Sequence, residues 1–203
     1  MTALYQTPFQ NAVETFKIIL AALVIALIVR TFIIQPYYIP SGSMLETLQI
    51  GDRLFVCKFS YGIHIPFVSK ELYSTGEPER GDIIVFPYPL SPDTDYIKRV
   101  IGVPGDVIEV RNKQLFRNGV AVHEDYIQHT DPHVNIDRRD NMPPLTVPPG
   151  KVFVMGDNRD HSQDSRIWGF VDKDTIHGKA VILFWSSDGL QDIKWSRIGT
   201  LLS

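Results

Sequence analysis

The sequence predicts a mainly β protein, with an N-terminal transmembrane helix followed by an antiparallel β-sheet domain that carries a smaller inserted subdomain. Three observations predict it. Ile18 to Val29 is an uninterrupted apolar run of twelve residues. After Gln35, short β-type runs recur between turn signals. No long amphipathic pattern of helical period follows the apolar run.

The chain has 203 residues, enough for one domain with a small addition. A hydrophobic share of 44% supplies a packed core and excludes wholesale disorder. With 20 basic against 23 acidic side chains the net charge is −3, which gives no general attraction to nucleic acid. Cys57 is the only cysteine, so an intramolecular disulfide and a thiolate zinc site are both excluded.

Residues 1–15 form a tail and 16–34 the anchor. As a helix, Phe16 to Ile34 would span roughly 28 Å, close to the hydrocarbon core of a bilayer. A cleaved leader would continue into small residues, but the flank reads Arg30-Thr31-Phe32-Ile33-Ile34-Gln35-Pro36. A buried core helix is the other reading, and the segment has no polar face to turn to solvent. Lys17 and Arg30 stand one on each side, so charge does not set the orientation.

Strands follow at Arg53–Val56, Asp82–Phe86, Tyr96–Ile101, Val107–Val110, Val152–Met155 and Ala180–Trp185, separated by Gly-Asp and Pro-Gly turns. Asn118-Gly119, between Leu115–Arg117 and Val120–Val122, is the strongest hairpin signal, because both residues accept the positive φ of a type I′ turn. The stretch after His123 is polar and rich in His, Asp and Pro. The division is therefore 35–110 and 150–203 for the β domain, and 111–149 for the insertion.

Three segments are candidates for chemistry. In Ile39-Pro40-Ser41-Gly42-Ser43-Met44, Pro40 keeps Ile39 extended and Gly42 permits a tight turn between two hydroxyls, although an ordinary solvated turn reads the same way. On the strand through Tyr96, Lys98 shares a face with Tyr96 and Val100. Lys98 is then either a lysine whose stem packs while its amine reaches water, or a desolvated amine able to take a proton. Asp157 to Arg166 concentrates charge between two apolar segments, as a polar network against a core or as a surface loop.

Together these blocks resemble the bacterial type I signal peptidases, the leader peptidases of the cytoplasmic membrane. The resemblance runs in order through Pro40–Met44, Lys58–Gly62, Arg80–Phe86, Asp95–Asp106 and Gly156–Phe170. It implies a serine–lysine protease that removes signal peptides from exported preproteins after a small residue, the Ala-x-Ala rule. By motif position Ser43 is the nucleophile and Lys98 its general base. Ser43 N–H and the Ser41 hydroxyl form the oxyanion hole, Ser162 orients the lysine amine, and Asp164 and Arg166 are a supporting ion pair. Ile39, Pro40, Met44, Leu48, Tyr96 and Ile97 resemble the shallow apolar pockets for small substrate residues. The resemblance also implies no cofactor and no metal, preprotein signal peptides and membrane lipid as partners, and a single-pass protein with its catalytic domain outside the cytoplasm. Glu46 stands where the family often has proline, which bears on the rigidity of the loop.

Other readings exist. His161 beside Asp157, Asp160 or Asp164 would make a His-assisted hydrolase, and His129 with Asp131 and His133 a metal site lacking a third strong ligand. A membrane-tethered binding module would not need both Ser43 and Lys98. A self-cleaving serine–lysine repressor would be soluble. Tyr37, Tyr38, Trp168 and Phe170 are candidates for the lipid interface or for the core.

Overall fold

The computed structural model describes residues 8–62, 76–189 and 192–202. The first residues of the expected tail, 1–7, lie outside them. Helix α1 (Pro8–Ile28) passes through a π turn (Val29–Ile33) straight into β1 (Ile34–Tyr38). The expected helical span 16–34 is thus cut short. From Val29 the chain leaves the α-helix, and Ile34 is held instead by strand pairing with Cys57. Among the described residues no helix is long and apolar enough to cross a membrane. Along α1, Phe16, Ile18, Ile19 and Leu23 are nonetheless all exposed, Ile18 at 68%.

After β1 come β2 (Arg53–Cys57), β3 (Ile83–Tyr88), β4 (Ser91–Gly102), β5 (Val107–Arg111), β6 (Gln114–Arg117), β7 (Val120–Ala121), β8 (Met142–Thr146), β9 (Lys151–Met155), the short helix α2 (Ser165–Trp168), β10 (Val171–Asp172) and β11 (Gly178–Trp185). They form a seven-stranded sheet in the order β1-β2-β11-β3-β4-β9-β10 and a four-stranded sheet in the order β7-β6-β5-β8. The named strand pairs of both sheets are all antiparallel. The hairpin turns through Asn118 at φ 54° and Gly119 at φ 80°, the positive-φ pair that its sequence predicts.

Three strands were not anticipated, and all lie at sheet edges: β1 with Pro36, β8 with Pro143 and Pro144, and the two-residue β10. A proline is tolerated where its missing N–H leaves no ladder position unfilled. Strand β5, grouped on sequence with the main domain, pairs instead with β6 and β8, so the small sheet begins at Val107.

Three apolar clusters hold these parts together. The first packs Ile39, Met44 and Leu48 against Leu54, Val56, Ile83, Val85 and Leu183. The second lies around Ile84, Phe86, Val100 and Val154. The third joins the two sheets, with Ile101, Phe153 and Met155 of the large one meeting Ile108, Val110, Leu115 and Met142 of the small one. Successive residues of β4 serve different clusters, Tyr96 and Val100 the second, Ile97 the first and Ile101 the third. Trp168 and Phe170, both half-buried, pack against the second and third clusters respectively.

Candidate active site

Ser43 lies on the loop that returns from β1 to β2. That loop is braced by hydrogen bonds. Ile39 N–H donates to the Asp52 carbonyl at 2.9 Å, Gly51 N–H to that of Ile39 at 3.0 Å, and Leu48 N–H to that of Met44 at 2.7 Å. Arg197 adds a clamp, bonding the Thr47 carbonyl at 2.9 Å and the Asp52 carboxylate at 2.6 Å. Glu46 accepts from Gln128 Nε2 at 3.1 Å, so the residue standing in the proline's place is itself tethered.

Strand β4 brings Lys98 to this loop. Its Nζ is 2.8 Å from Ser43 Oγ and 2.9 Å from the Ile97 carbonyl. The Tyr96 ring stands over the amine, its centroid 5.1 Å away, and Lys98 is 3% exposed. Burial disfavours the charged amine and lowers its pKa to about 8, while the Asp164 and Asp157 carboxylates oppose the drop. At pH 7 roughly a tenth of the amines are then neutral. When charged, Nζ donates to Oγ; when neutral, its lone pair can accept the Ser43 hydroxyl proton over the same distance.

A cleft of about 320 Å³ opens over the pair. Ile39, Pro40, Tyr96 and Ile97 line it, together with Ser41, Tyr37, Tyr38 and Asp95. Met44 and Leu48 do not. Both side chains are fully buried in the first cluster, beneath the loop rather than in the cleft. The Ser43 N–H makes no hydrogen bond among the described residues.

The segment from Gly156 to Arg166 packs against the far side of the loop. A Cβ on Gly156 would run into the Ser43 carbonyl and Ser162 Oγ, so only glycine fits there. Asp164 and Arg166 are buried and doubly bonded, both at 2.8 Å. The Asp164 carboxylate also accepts from the N–H groups of Gly156 and Arg166. Burial by itself would raise the pKa of Asp164; the Arg166 guanidinium overcomes this and holds the carboxyl below the usual range. Ser162 departs from expectation, because no hydrogen bond joins it to Lys98. Among the described residues its buried hydroxyl has no partner at hydrogen-bond geometry, although it is close enough to Asp164 to help keep that carboxylate ionised. The lysine amine turns instead to the carbonyl of Ile97.

Several participants went unremarked in the sequence. Arg99, next to Lys98 but of opposite strand parity, pairs with Asp157 at 2.9 Å, and Thr47 donates to the same carboxylate at 2.5 Å. Arg159 and Glu124 form a second buried pair at 2.6 Å, which docks the insertion against the site segment. A run rich in charge gives no indication of which charges pair.

The rival readings find less support in the geometry. His161 is exposed at the rim of the cleft, and no carboxylate hydrogen-bonds its ring among the described residues. The ring of His129 lies 3.3 Å from Asp160, a carboxylate already paired with Lys113 at 2.8 Å, while His133 is exposed.

Residues 12–185 match the family Signal peptidase, peptidase S26. The signal peptidase I of Pseudomonas fluorescens is 38% identical over 225 residues, spanning 93% of this chain and 79% of that relative. The probable signal peptidase I-1 of Synechocystis sp. is 39% identical over 201 residues, spanning 96% of this chain and 90% of that relative. The crystal structure of a signal peptidase I from Enterococcus faecalis V583 superposes with a TM-score of 0.43 at 37% identity, covering 52% of this chain and 98% of that one. The chain therefore belongs to the signal peptidase family, peptidase S26.

Proposed function

We propose that the chain is a membrane-anchored serine endopeptidase that cuts signal peptides from exported preproteins after a small residue, with Ser43 as nucleophile and Lys98 as general base. The observation that carries this reading is the buried Lys98 amine 2.8 Å from Ser43 Oγ. Neutral Lys98 takes the hydroxyl proton as Oγ attacks the scissile carbonyl carbon. The resulting oxyanion is met by the Ser43 N–H and the Ser41 hydroxyl. Collapse breaks the C–N bond, and the lysine ammonium returns its proton to the departing amine. Water, deprotonated by the same lysine, then releases the signal peptide from Ser43.

Ile39, Pro40, Tyr96 and Ile97 give the cleft an apolar lining suited to small side chains, which larger ones would overlap. Asp164 and Arg166 hold the site segment in place, and Ser162 stands beside them. Apart from β5, which pairs into the small sheet, residues 35–110 and 150–203 make the catalytic domain and 111–149 the inserted subdomain. The test is cleavage of an Ala-x-Ala preprotein by the full chain in detergent micelles. Wild type is expected to cut after the −1 alanine, Ser43→Ala to lose essentially all activity, and a preprotein with phenylalanine at −1 to resist. An active Ser43→Ala would overturn the assignment, and binding without cutting by wild type would identify a tethered binder instead.

The anchor is α1 with its π turn; the apolar side chains exposed along α1 from Phe16 to Leu27 favour lipid. Arg30 follows the apolar run and can extend its guanidinium to the interface. The resemblance to bacterial leader peptidases supports a domain on the extracytoplasmic side of the cytoplasmic membrane. Bacterial membranes washed with alkaline carbonate are expected to retain the chain, and protease added outside spheroplasts to digest its β domain. Release by carbonate, or protection from the protease, would refute the respective half of this topology.

A further inference from the structure

Asn158 plays no part in the reading above, yet two hydrogen bonds tie it to the nucleophile's loop. Its N–H donates to the Ser43 carbonyl at 3.1 Å, and its side-chain Nδ2 donates to the Gly42 carbonyl at 3.0 Å. Asn158 is 4% exposed. The Gly42 C=O and the Ser43 N–H belong to one peptide unit. That unit is planar and trans, so carbonyl and amide point in opposite directions, and whatever fixes the one aims the other. A hydrogen bond accepted by the carbonyl also polarises the unit and makes its N–H a stronger donor.

The inserted segment brackets Asn158 from both sides. Gln128 N–H donates to the Asp157 carbonyl at 2.8 Å, and Arg159 N–H donates back to the Gln128 carbonyl at 3.0 Å. The Gln128 side chain reaches on to Glu46 on the nucleophile's own loop. Among the described residues the Asn158 Oδ1 is buried without a partner, so Nδ2 makes the side chain's polar contact with the loop. Burying an unpaired acceptor is unfavourable, and such groups persist where placement matters more than stability.

We propose that Asn158 is a positioning residue: held by Gln128 of the insertion, it sets the direction and donor strength of the Ser43 N–H toward the oxyanion. This rests on the serine–lysine reading. The experiment measures kcat and KM for an Ala-x-Ala preprotein with the full chain in micelles, alongside affinity for a peptide aldehyde that mimics the tetrahedral adduct. Asn158→Ala and Asn158→Leu remove the donor without adding charge beside Lys98. In both, kcat is expected to fall by ~10²-fold, aldehyde affinity to fall in parallel, and KM to stay within about twofold. The acid limb of the pH profile should not move, because the surroundings of Lys98 are untouched. Gln128→Pro removes the N–H that bonds the Asp157 carbonyl, leaves Asn158 intact and is expected to lower kcat less, also at constant KM; it decides the matter if the Asn158 variants do not fold. Folded variants with unchanged kcat, or a change confined to KM, overturn the proposal. Ser43→Ala run in parallel separates the two failures: if it is inactive while the Asn158 variants are unaffected, only the positioning role falls, whereas an active Ser43→Ala removes the reading beneath it.

Discussion

Replacing Lys98 with methionine is expected to lower kcat by ~10²–10⁴-fold while making the folded protein more stable at pH 7. The two effects share one cause. The lysine of the unfolded chain keeps its proton up to its ordinary pKa of 10.5, whereas in the folded protein it releases it near 8. The unfolded state therefore binds more protons across that window, and stability rises with pH between these values. Below pH 8 the buried amine is a standing cost of about 3 kcal/mol, which a methionine of similar length does not carry. Thermal melts of wild type and Lys98→Met at pH 7 and pH 10 check this. The variant should melt higher at pH 7, and the gap should narrow toward pH 10. A variant that melts lower at pH 7 would mean that the contacts of the amine outweigh its desolvation. In wild type, kcat/KM should climb with pH and level off above about 8, as the neutral base accumulates.

Asp164→Asn is expected to have the largest effect on stability, a loss of ~3–5 kcal/mol, because Arg166 then remains buried without its counter-charge. The same substitution should move the acid limb of the pH profile to lower pH. Asp164 is the stronger of the two charges that hold the Lys98 pKa up, and without it the amine becomes neutral at lower pH. Denaturant titration and a pH series of kcat/KM measure the two effects separately. If the limb stays in place while stability falls, Asp164 is a structural anion only.

What the sequence revealed of all this depended on the kind of signal. Strands with alternating or continuous apolar runs, such as β3, β9 and β11, were legible because burial dictates their composition. Strands β1 and β8 were not, since proline reads as a break and only the finished sheet shows that each lies at an edge. Ser43 and Lys98 were named through a family pattern; their neighbours alone left each ambiguous. Met44 and Leu48 were placed in the cleft although the loop turns them inward, because sequence position does not show which way a loop residue faces. Asn158 acts through a carbonyl of another residue, and such a contact leaves no trace in residue type or spacing.

The alternation along β4 has one more consequence. Lys98 and Arg99 are adjacent, and register decides which of them meets Ser43. Sliding the strand by one residue would put a guanidinium where the amine belongs. A guanidinium does not give up its proton at any physiological pH. A misthreaded molecule would thus carry every residue of the site and be inert. The bulges that offset Val100 from Gly102 against β9, and Pro87 from Tyr88 against β4, fix that register from both sides. Correct threading is therefore the switch that arms the enzyme, and a peptidase made among countless other chains stays harmless until its own sheet has closed.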